Sequence, residues 1–255
     1  MRTINILWTG GLDSTYLMFK LSRQPLDIYP YYVIDPQRPS VQKELETIDK
    51  ILAVFGKRND IKATIHQVQK LNMNDICQHA DIEEAWKYLH NKYDLGSQYL
   101  FLANFARQYN LHLAAGVLFG ERSKVEQSLK ETDRLTTSEE FPDLFLKISN
   151  DNKATPAYII FEHLYFPKFM RNLEKTSEWD YFLNHDAVDI AQMTWFCHRP
   201  VLGMTCGHCN PCKDALNEGM AWRVSKMGYV LGTIRHYTFD VAMSILGKIR
   251  NSMTS

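Results

Sequence analysis

Leu7-Trp8-Thr9-Gly10-Gly11-Leu12-Asp13-Ser14-Thr15 is the stretch whose reading decides the fold. The apolar run before it, Ile4 to Trp8, is short, rich in β-branched residues and stopped by a glycine pair, which reads as a buried parallel strand. After it, Thr15 to Leu21 places Tyr16, Leu17, Phe19 and Leu21 for a packed helix, with Asp13 and Ser14 as acceptor side chains at its start. The segment is therefore strand, glycine turn, helix. Gly10 and Gly11 remove two Cβ atoms where a ligand would approach main-chain N–H groups, and a helix N-terminus carries partial positive charge. With the hydroxyls of Thr9, Ser14 and Thr15 this is a cradle for an anion such as phosphate or pyrophosphate. The plain alternative is a tight turn between strand and helix. Neither Gly-x-x-x-x-Gly-Lys-[Ser/Thr] nor Gly-x-Gly-x-x-Gly occurs.

The chain has 255 residues, enough for one α/β domain with a small appendage. Lys+Arg and Asp+Glu number 29 each, so no global basic field favours nucleic acid as a partner. No run of 18 apolar residues exists, so no membrane span is expected. Met1-Arg2-Thr3 enters a strand directly and its apolar run is too short for a signal peptide, which points to a cytoplasmic protein.

Repeated strand and helix signals follow. Ile28 to Ile34 is a second strand, broken by Asp35-Pro36-Gln37-Arg38-Pro39, which puts Gln37 and Arg38 on a loop at its carboxyl end. Ser40 caps a long helix carrying Val41, Leu45, Ile48, Ile51, Leu52 and Phe55, with Gly56 as its stop. Ala63 to Val68 alternates as a third strand, Glu83 to Tyr93 and Gln98 to Tyr109 read as helices, and Leu111 to Val117 as another buried strand. This alternation predicts a parallel, doubly wound sheet. Glu121, Arg122, Ser123 and Lys124 stand just beyond that last strand, facing a site or forming a solvated helix start. Residues 121–195 carry weak signals, except for the aromatics Tyr158, Phe161, Tyr165, Phe166 and Phe169, which read as core or as stacking walls for a flat ring.

Cys197, Cys206, Cys209 and Cys212 have the spacing C-x8-C-x2-C-x2-C, with Gly207 and Pro211 as turn residues. A Cys-x2-Cys turn spans one edge of a tetrahedral zinc site, and four thiolates leave no open position, so the metal would be structural. A redox pair, an iron–sulfur cluster or simple packing are the alternatives. His198 and His208 flank the ligands as substitutes or sulfur hydrogen-bond partners. Cys77, isolated, is expected to be a buried small apolar residue.

Thr9-Gly10-Gly11-Leu12-Asp13-Ser14 resembles the Ser-Gly-Gly-x-Asp-Ser loop of the PP-loop ATP pyrophosphatase superfamily, with Thr9 in the first Ser position. Together with Thr194-Trp195-Phe196-Cys197 and Cys206-Gly207-His208-Cys209-Asn210-Pro211-Cys212, it is similar to the 7-cyano-7-deazaguanine synthase family. Asp35-Pro36-Gln37-Arg38 partly matches that family's Tyr-Gly-Gln-Arg-His loop, with Glu44 near its following Glu. Gly96-Ser97-Gln98-Tyr99 echoes its Gly-Arg-Asn segment and Lys168 its lysine upstream of the knuckle.

The resemblance implies a PP-loop domain over 1–190, divergent from 121, and a zinc knuckle with C-terminal helices over 191–255. It implies ATP, Mg2+ and a structural Zn2+, with the nucleotide held by Trp8, Thr9, Gly10, Gly11, Leu12, Asp13, Ser14 and Thr15. Asp13, Arg38 and Arg122 would be catalytic, and Cys197, Cys206, Cys209 and Cys212 the metal ligands. The implied reaction activates 7-carboxy-7-deazaguanine as an adenylate and uses ammonia to reach the nitrile, in a protein that can be a homodimer. The family's Asp-Tyr-Ser-Gly-Tyr-Pro-Asp-Cys-Arg stretch, associated with the deazapurine, is replaced by Glu121-Arg122-Ser123-Lys124-Val125-Glu126. That departure leaves three other expectations standing: transfer of the acyl group to an amine on a protein or small molecule, tRNA modification, or nucleotide binding without catalysis.

Overall fold

A computed structural model describes residues 1–120, 123–130 and 135–240. Contacts divide the chain into two compact units, Met1–Pro36 with Thr47–Thr194, and Gln37–Glu46 with Trp195–Ser255.

The first unit is built on a mostly parallel sheet, as the alternating strand and helix signals require. Its strands are β1 (Arg2–Leu7), β2 (Leu26–Ile34), β3 (Thr64–Ile65), β4 (Gln69–Asn72), β5 (Leu113–Ala115), β6 (Leu135–Thr137), β7 (Phe145–Ile148) and β8 (Leu164–Pro167). The order is β3-β2-β1-β5-β8-β7-β6, with β4 also on β2. β1 lies between β2 and β5 and is parallel to both, pairing Leu7 with Tyr31 on one side and Ala115 on the other. The chain thus winds outward from β1 in one direction, then restarts on its other side, which makes the carboxyl ends of β1 and β5 a topological switch point. Open α/β sheets leave a crevice there because consecutive connections depart to opposite faces.

Helices α1 (Leu12–Ser22), α2 (Val41–Phe55), α3 (Ala80–Tyr93), α4 (Gln98–Tyr109), α5 (Lys124–Leu129), α6 (Pro156–Phe161), α7 (Lys175–Leu183) and α8 (Val188–Met193) accompany the strands. α1 begins at Leu12 because extended Gly11 (φ −75°, ψ 166°) is itself the cap, so Asp13 and Ser14 lie inside the first turn and do not cap it. Its Tyr16 and Phe19 pack on Tyr181 and Phe182 of α7. Fully burying a side chain such as Phe19 contributes about 1.5–3 kcal/mol, so this contact anchors the helix below the glycine turn.

Of the third strand expected over 63–68 only Thr64–Ile65 (β3) is strand; β4 follows it at Gln69–Asn72, and both are parallel to β2. His66 lies between them, donating its N–H to the Ile28 carbonyl and stacking on Tyr29. In the region of weak signals, β8 extends the parallel sheet beside β5 while β7 and β6 close it antiparallel. Tyr158, Phe161, Tyr165 and Phe166 are buried core. Cys77 corrects an expectation: it is exposed in the irregular link before α3, with its backbone N–H donating to the Gln108 side chain at 2.7 Å. Among the described residues no helix is long and apolar enough to cross a membrane.

The second unit adds α9 (Asn210–Asn217) and α10 (Lys226–Arg235), the start of α2, and the cysteine knuckle. Among its described residues one buried apolar cluster is Cys197, Cys206 and Cys212, with Trp195, Phe196, Val201 and Cys209 against it, and Ala215, Met220 and Val224 are buried as well.

Candidate functional site

The glycine turn leaves β1 at its carboxyl end. Gly10 sits at φ +72°, a left-handed conformation that favours glycine, and this turns the chain into α1. The flanking side chains brace the turn from inside. Trp8 and Thr15 are fully buried, and the Trp8 indole N–H donates to the Thr15 hydroxyl at 3.1 Å. Ser14 Oγ donates to the Gly11 carbonyl at 3.2 Å and accepts the Thr9 amide at 3.3 Å. With its one proton on Gly11, Ser14 also accepts the Thr9 hydroxyl at 3.1 Å. Trp8, Leu12 and Thr15 therefore shape the turn from the interior, whereas Thr9, Gly11 and Asp13 are only partly buried. What such a turn offers a ligand is main chain: the first N–H groups of a helix have no intrahelical acceptor.

Two neighbours complete the surroundings of this turn. A Cβ at Gly116, just past β5, would lie 2.8 Å from the Asp13 carbonyl oxygen and 2.9 Å from Ser14 Cα. Only glycine lets the β5 end approach this closely. Tyr99, in the first turn of α4, is buried, and burial together with the Asp13 carboxylate pushes its hydroxyl up to about 12. It stays protonated near that carboxylate. No local sequence signal places Gly116 or Tyr99 beside this turn, because their meeting with residues 13–14 spans about a hundred positions. Ser123 caps α5 by accepting the Glu126 amide at 3.3 Å. Lys168 follows β8 and donates to the Pro142 carbonyl at 2.6 Å and the Thr137 hydroxyl at 3.2 Å. Arg122 lies outside the described residues.

The second unit gathers all four expected cysteines. Their Sγ atoms lie within 4.8 Å of one another, with Cys206–Cys212 at 4.0 Å and Cys197–Cys209 at 3.9 Å. A disulfide requires about 2.05 Å. Zinc–sulfur bonds of about 2.3 Å at tetrahedral corners require about 3.8 Å between sulfurs, so the spacing fits a metal such as zinc. Backbone N–H groups already point at sulfur: Cys206 to Cys197 at 3.2 Å, and His208 and Cys209 to Cys206 at 3.4 Å. Hydrogen bonding with Cys209 pushes the Cys197 thiol up to about 12, and bonds with Cys197 and Cys209 raise Cys212 as well. Those same bonds, from Cys197 and Cys212, lower Cys209. A cation bound between these sulfurs would favour their thiolate forms.

α10 presses against this knuckle through glycine. A Cβ at Gly232 would collide with the Cys206 carbonyl oxygen, and one at Gly228 with that of Thr205. Gly207, at φ +75°, lies under the Tyr229 ring. His208 stacks on Tyr229 and shares a 2.8 Å hydrogen bond with Thr233, so it serves packing.

Arg38 belongs to this unit too. One guanidinium nitrogen lies 3.7 Å from Glu44, and another 3.4 Å from Nε2 of His198, the residue after Cys197. Glu44 is buried and accepts the Ser40 hydroxyl at 2.6 Å. Burial, followed by the Arg38 charge, lowers the His198 pKa and keeps its Nε2 an acceptor for that arginine.

No protein-family model and no curated protein matches the chain.

Proposed function

We propose that the protein is an ATP-dependent, AMP-forming ligase of the PP-loop type, activating a carboxylate for attack by a nitrogen nucleophile. The observation that carries this reading is the position of Gly10-Gly11 at the switch point between β1 and β5, with Gly116 cleared of a side chain where it meets Asp13 and Ser14. A backbone cradle in that crevice suits the phosphates of a nucleotide. Its departure from Walker-type spacing, and its match to the Ser-Gly-Gly-x-Asp-Ser pattern, favour cleavage at the α-phosphate.

The chemical problem is that a carboxylate is a poor electrophile. Its oxygen attacks the α-phosphorus of ATP, pyrophosphate leaves, and the acyl group now carries AMP as its leaving group. Ammonia then adds to the acyl carbon and AMP departs with the original carboxylate oxygen, leaving an amide. Adenylation of that amide and loss of AMP would give a nitrile. In this scheme the Gly10 and Gly11 amides hold pyrophosphate and Thr9 and Ser14 keep the turn in shape. Asp13 would hold Mg2+, which neutralises charge on the phosphates. The sequence resemblance assigns Arg38 and Arg122 to the charge that develops. The preferred carboxylate on that resemblance is 7-carboxy-7-deazaguanine. Incubation with it, ATP, Mg2+ and ammonia should yield 7-cyano-7-deazaguanine by mass spectrometry; ADP formation, or no turnover by folded protein, would overturn the proposal.

A second reading keeps the adenylate but delivers the acyl group to an amine of a protein or small molecule. It is favoured by Glu121-Arg122-Ser123-Lys124-Val125-Glu126 in place of the family's deazapurine stretch. A mass increase on a co-expressed partner would support it, and unmodified partners would remove it.

A further inference from the structure

The segment Gln37–Glu46 follows β2 in sequence, yet it belongs to the same compact unit as the four cysteines. The side chains explain why. Glu44 is only 4% exposed, and a buried carboxylate is unfavourable without partners. Ser40 donates to it at 2.6 Å from one turn earlier, and Arg38 faces it at 3.7 Å. The other arm of Arg38 reaches the ring of His198 at 3.4 Å. The neighbouring Lys43 ammonium lies 5.6 Å from the centre of the Trp195 ring, so the segment is tied on two sides to the residues that flank Cys197. Gripped by a carboxylate and an imidazole, the guanidinium still has its side chain 30% exposed. That is the arrangement of a donor pre-oriented for an anion, since the fixed fork loses little freedom on binding.

We propose that Glu44 and His198 are positioning residues that hold Arg38 as an anion donor, and that metal occupancy of the four-cysteine site and the placement of Arg38 are thermodynamically linked. The metal is then more than a clamp on the fold. By fixing Cys197 it fixes the adjacent His198, and through it the guanidinium; by reciprocity, Arg38 stabilises the metal site. Partners just outside a ligand set commonly change metal affinity by about 10- to 100-fold. Only the identity of the anion, a phosphate or carboxylate of the reaction above, rests on the proposed function.

The test reads metal and arginine separately from turnover. Zinc-loaded Arg38→Met should surrender its zinc to a chromogenic chelator about tenfold faster than the unsubstituted protein. In zinc-loaded Glu44→Gln, which preserves size and the Ser40 partner, phenylglyoxal should modify Arg38 several-fold faster, as read by peptide mass spectrometry. Unchanged zinc release from Arg38→Met would overturn the linkage, and unchanged Arg38 labelling in Glu44→Gln would overturn the positioning role. If both effects occur in a protein that never forms AMP, the linkage stands and the proposed reaction falls.

Discussion

The glycine turn and the cysteine knuckle solve the same problem, holding backbone in an unusual path, by opposite means. The turn is supported by a large apolar core, with Ile4, Ile6, Trp8, Leu17 and Phe19 all essentially inaccessible to solvent. Its few polar bonds, Trp8 to Thr15 and Ser14 to Gly11, only refine a shape the sheet already imposes. Among the described residues the knuckle's cluster is much smaller: Cys197, Cys206 and Cys212 are its buried members. A metal held by the four thiolates would supply stability that so small an apolar cluster does not. Stability in the first unit should therefore be spread over many residues, and in the second concentrated in one ion.

The sharpest way to break this contrast is to take the metal away. Chelation, or Cys206→Ser, should strip amide-exchange protection from residues 195–235 while β1, β2 and β5 keep theirs. Structural zinc contributes on the order of 10 kcal/mol in small domains, far more than any single contact in the sheet unit. Equal loss in both units, or loss in neither, would erase the distinction.

Gly116→Ala probes the sheet unit at its tightest approach. The new methyl would meet the Asp13 carbonyl at 2.8 Å, where neither backbone can yield cheaply. About 1–3 kcal/mol of stability should be lost in urea denaturation, together with nucleotide binding at the turn. A stable variant that binds ATP normally would show that this approach does not shape the site. Thr15→Val leaves the Trp8 indole N–H without its buried acceptor and should cost about 1–3 kcal/mol by the same measurement.

The smallest effect concerns pH. Burial lowers His163, just before β8, below its ordinary 6.5, against the pull of the Glu162 carboxylate and with the help of His112 and Arg107. Folding therefore favours the neutral ring. The unfolded chain takes up the proton first, so this contribution is complete above about pH 6.5 and is lost as pH falls through the folded pKa. His163→Asn should flatten the acid side of the stability profile in that window. An unchanged slope would assign the acid sensitivity to other groups.

What was legible in the sequence follows the same division. β1, the glycine turn, α1 and α2 could be read because each pairs a clear hydrophobic period with a local stop at Gly10, Pro36 or Gly56. β8 could not: Leu164-Tyr165-Phe166-Pro167 sits inside an aromatic run with no alternation, since it is buried along its whole length. β6 and β7 have only three and four residues, too few to show a period. The cysteine spacing announced the gathering of the four thiols, because a Cys-x2-Cys turn is a local constraint. Nothing local announced that Gln37–Glu46 would join it, since Arg38 and His198 are 160 positions apart. Cys77 was misread for want of any neighbour pattern. It lies exposed in the link before α3, where neither a helical nor a strand period marks the buried side.

The central claim is that the turn at Gly10-Gly11 presents the α-phosphate of ATP to a carboxylate. It is tested most directly by supplying 7-carboxy-7-deazaguanine labelled with 18O in its carboxylate, with ATP, Mg2+ and ammonia, and weighing the nucleotide product. Attack at the α-phosphate predicts AMP carrying one 18O atom and unlabelled pyrophosphate. ADP with 18O in inorganic phosphate would place the attack at the γ-phosphate and contradict the account.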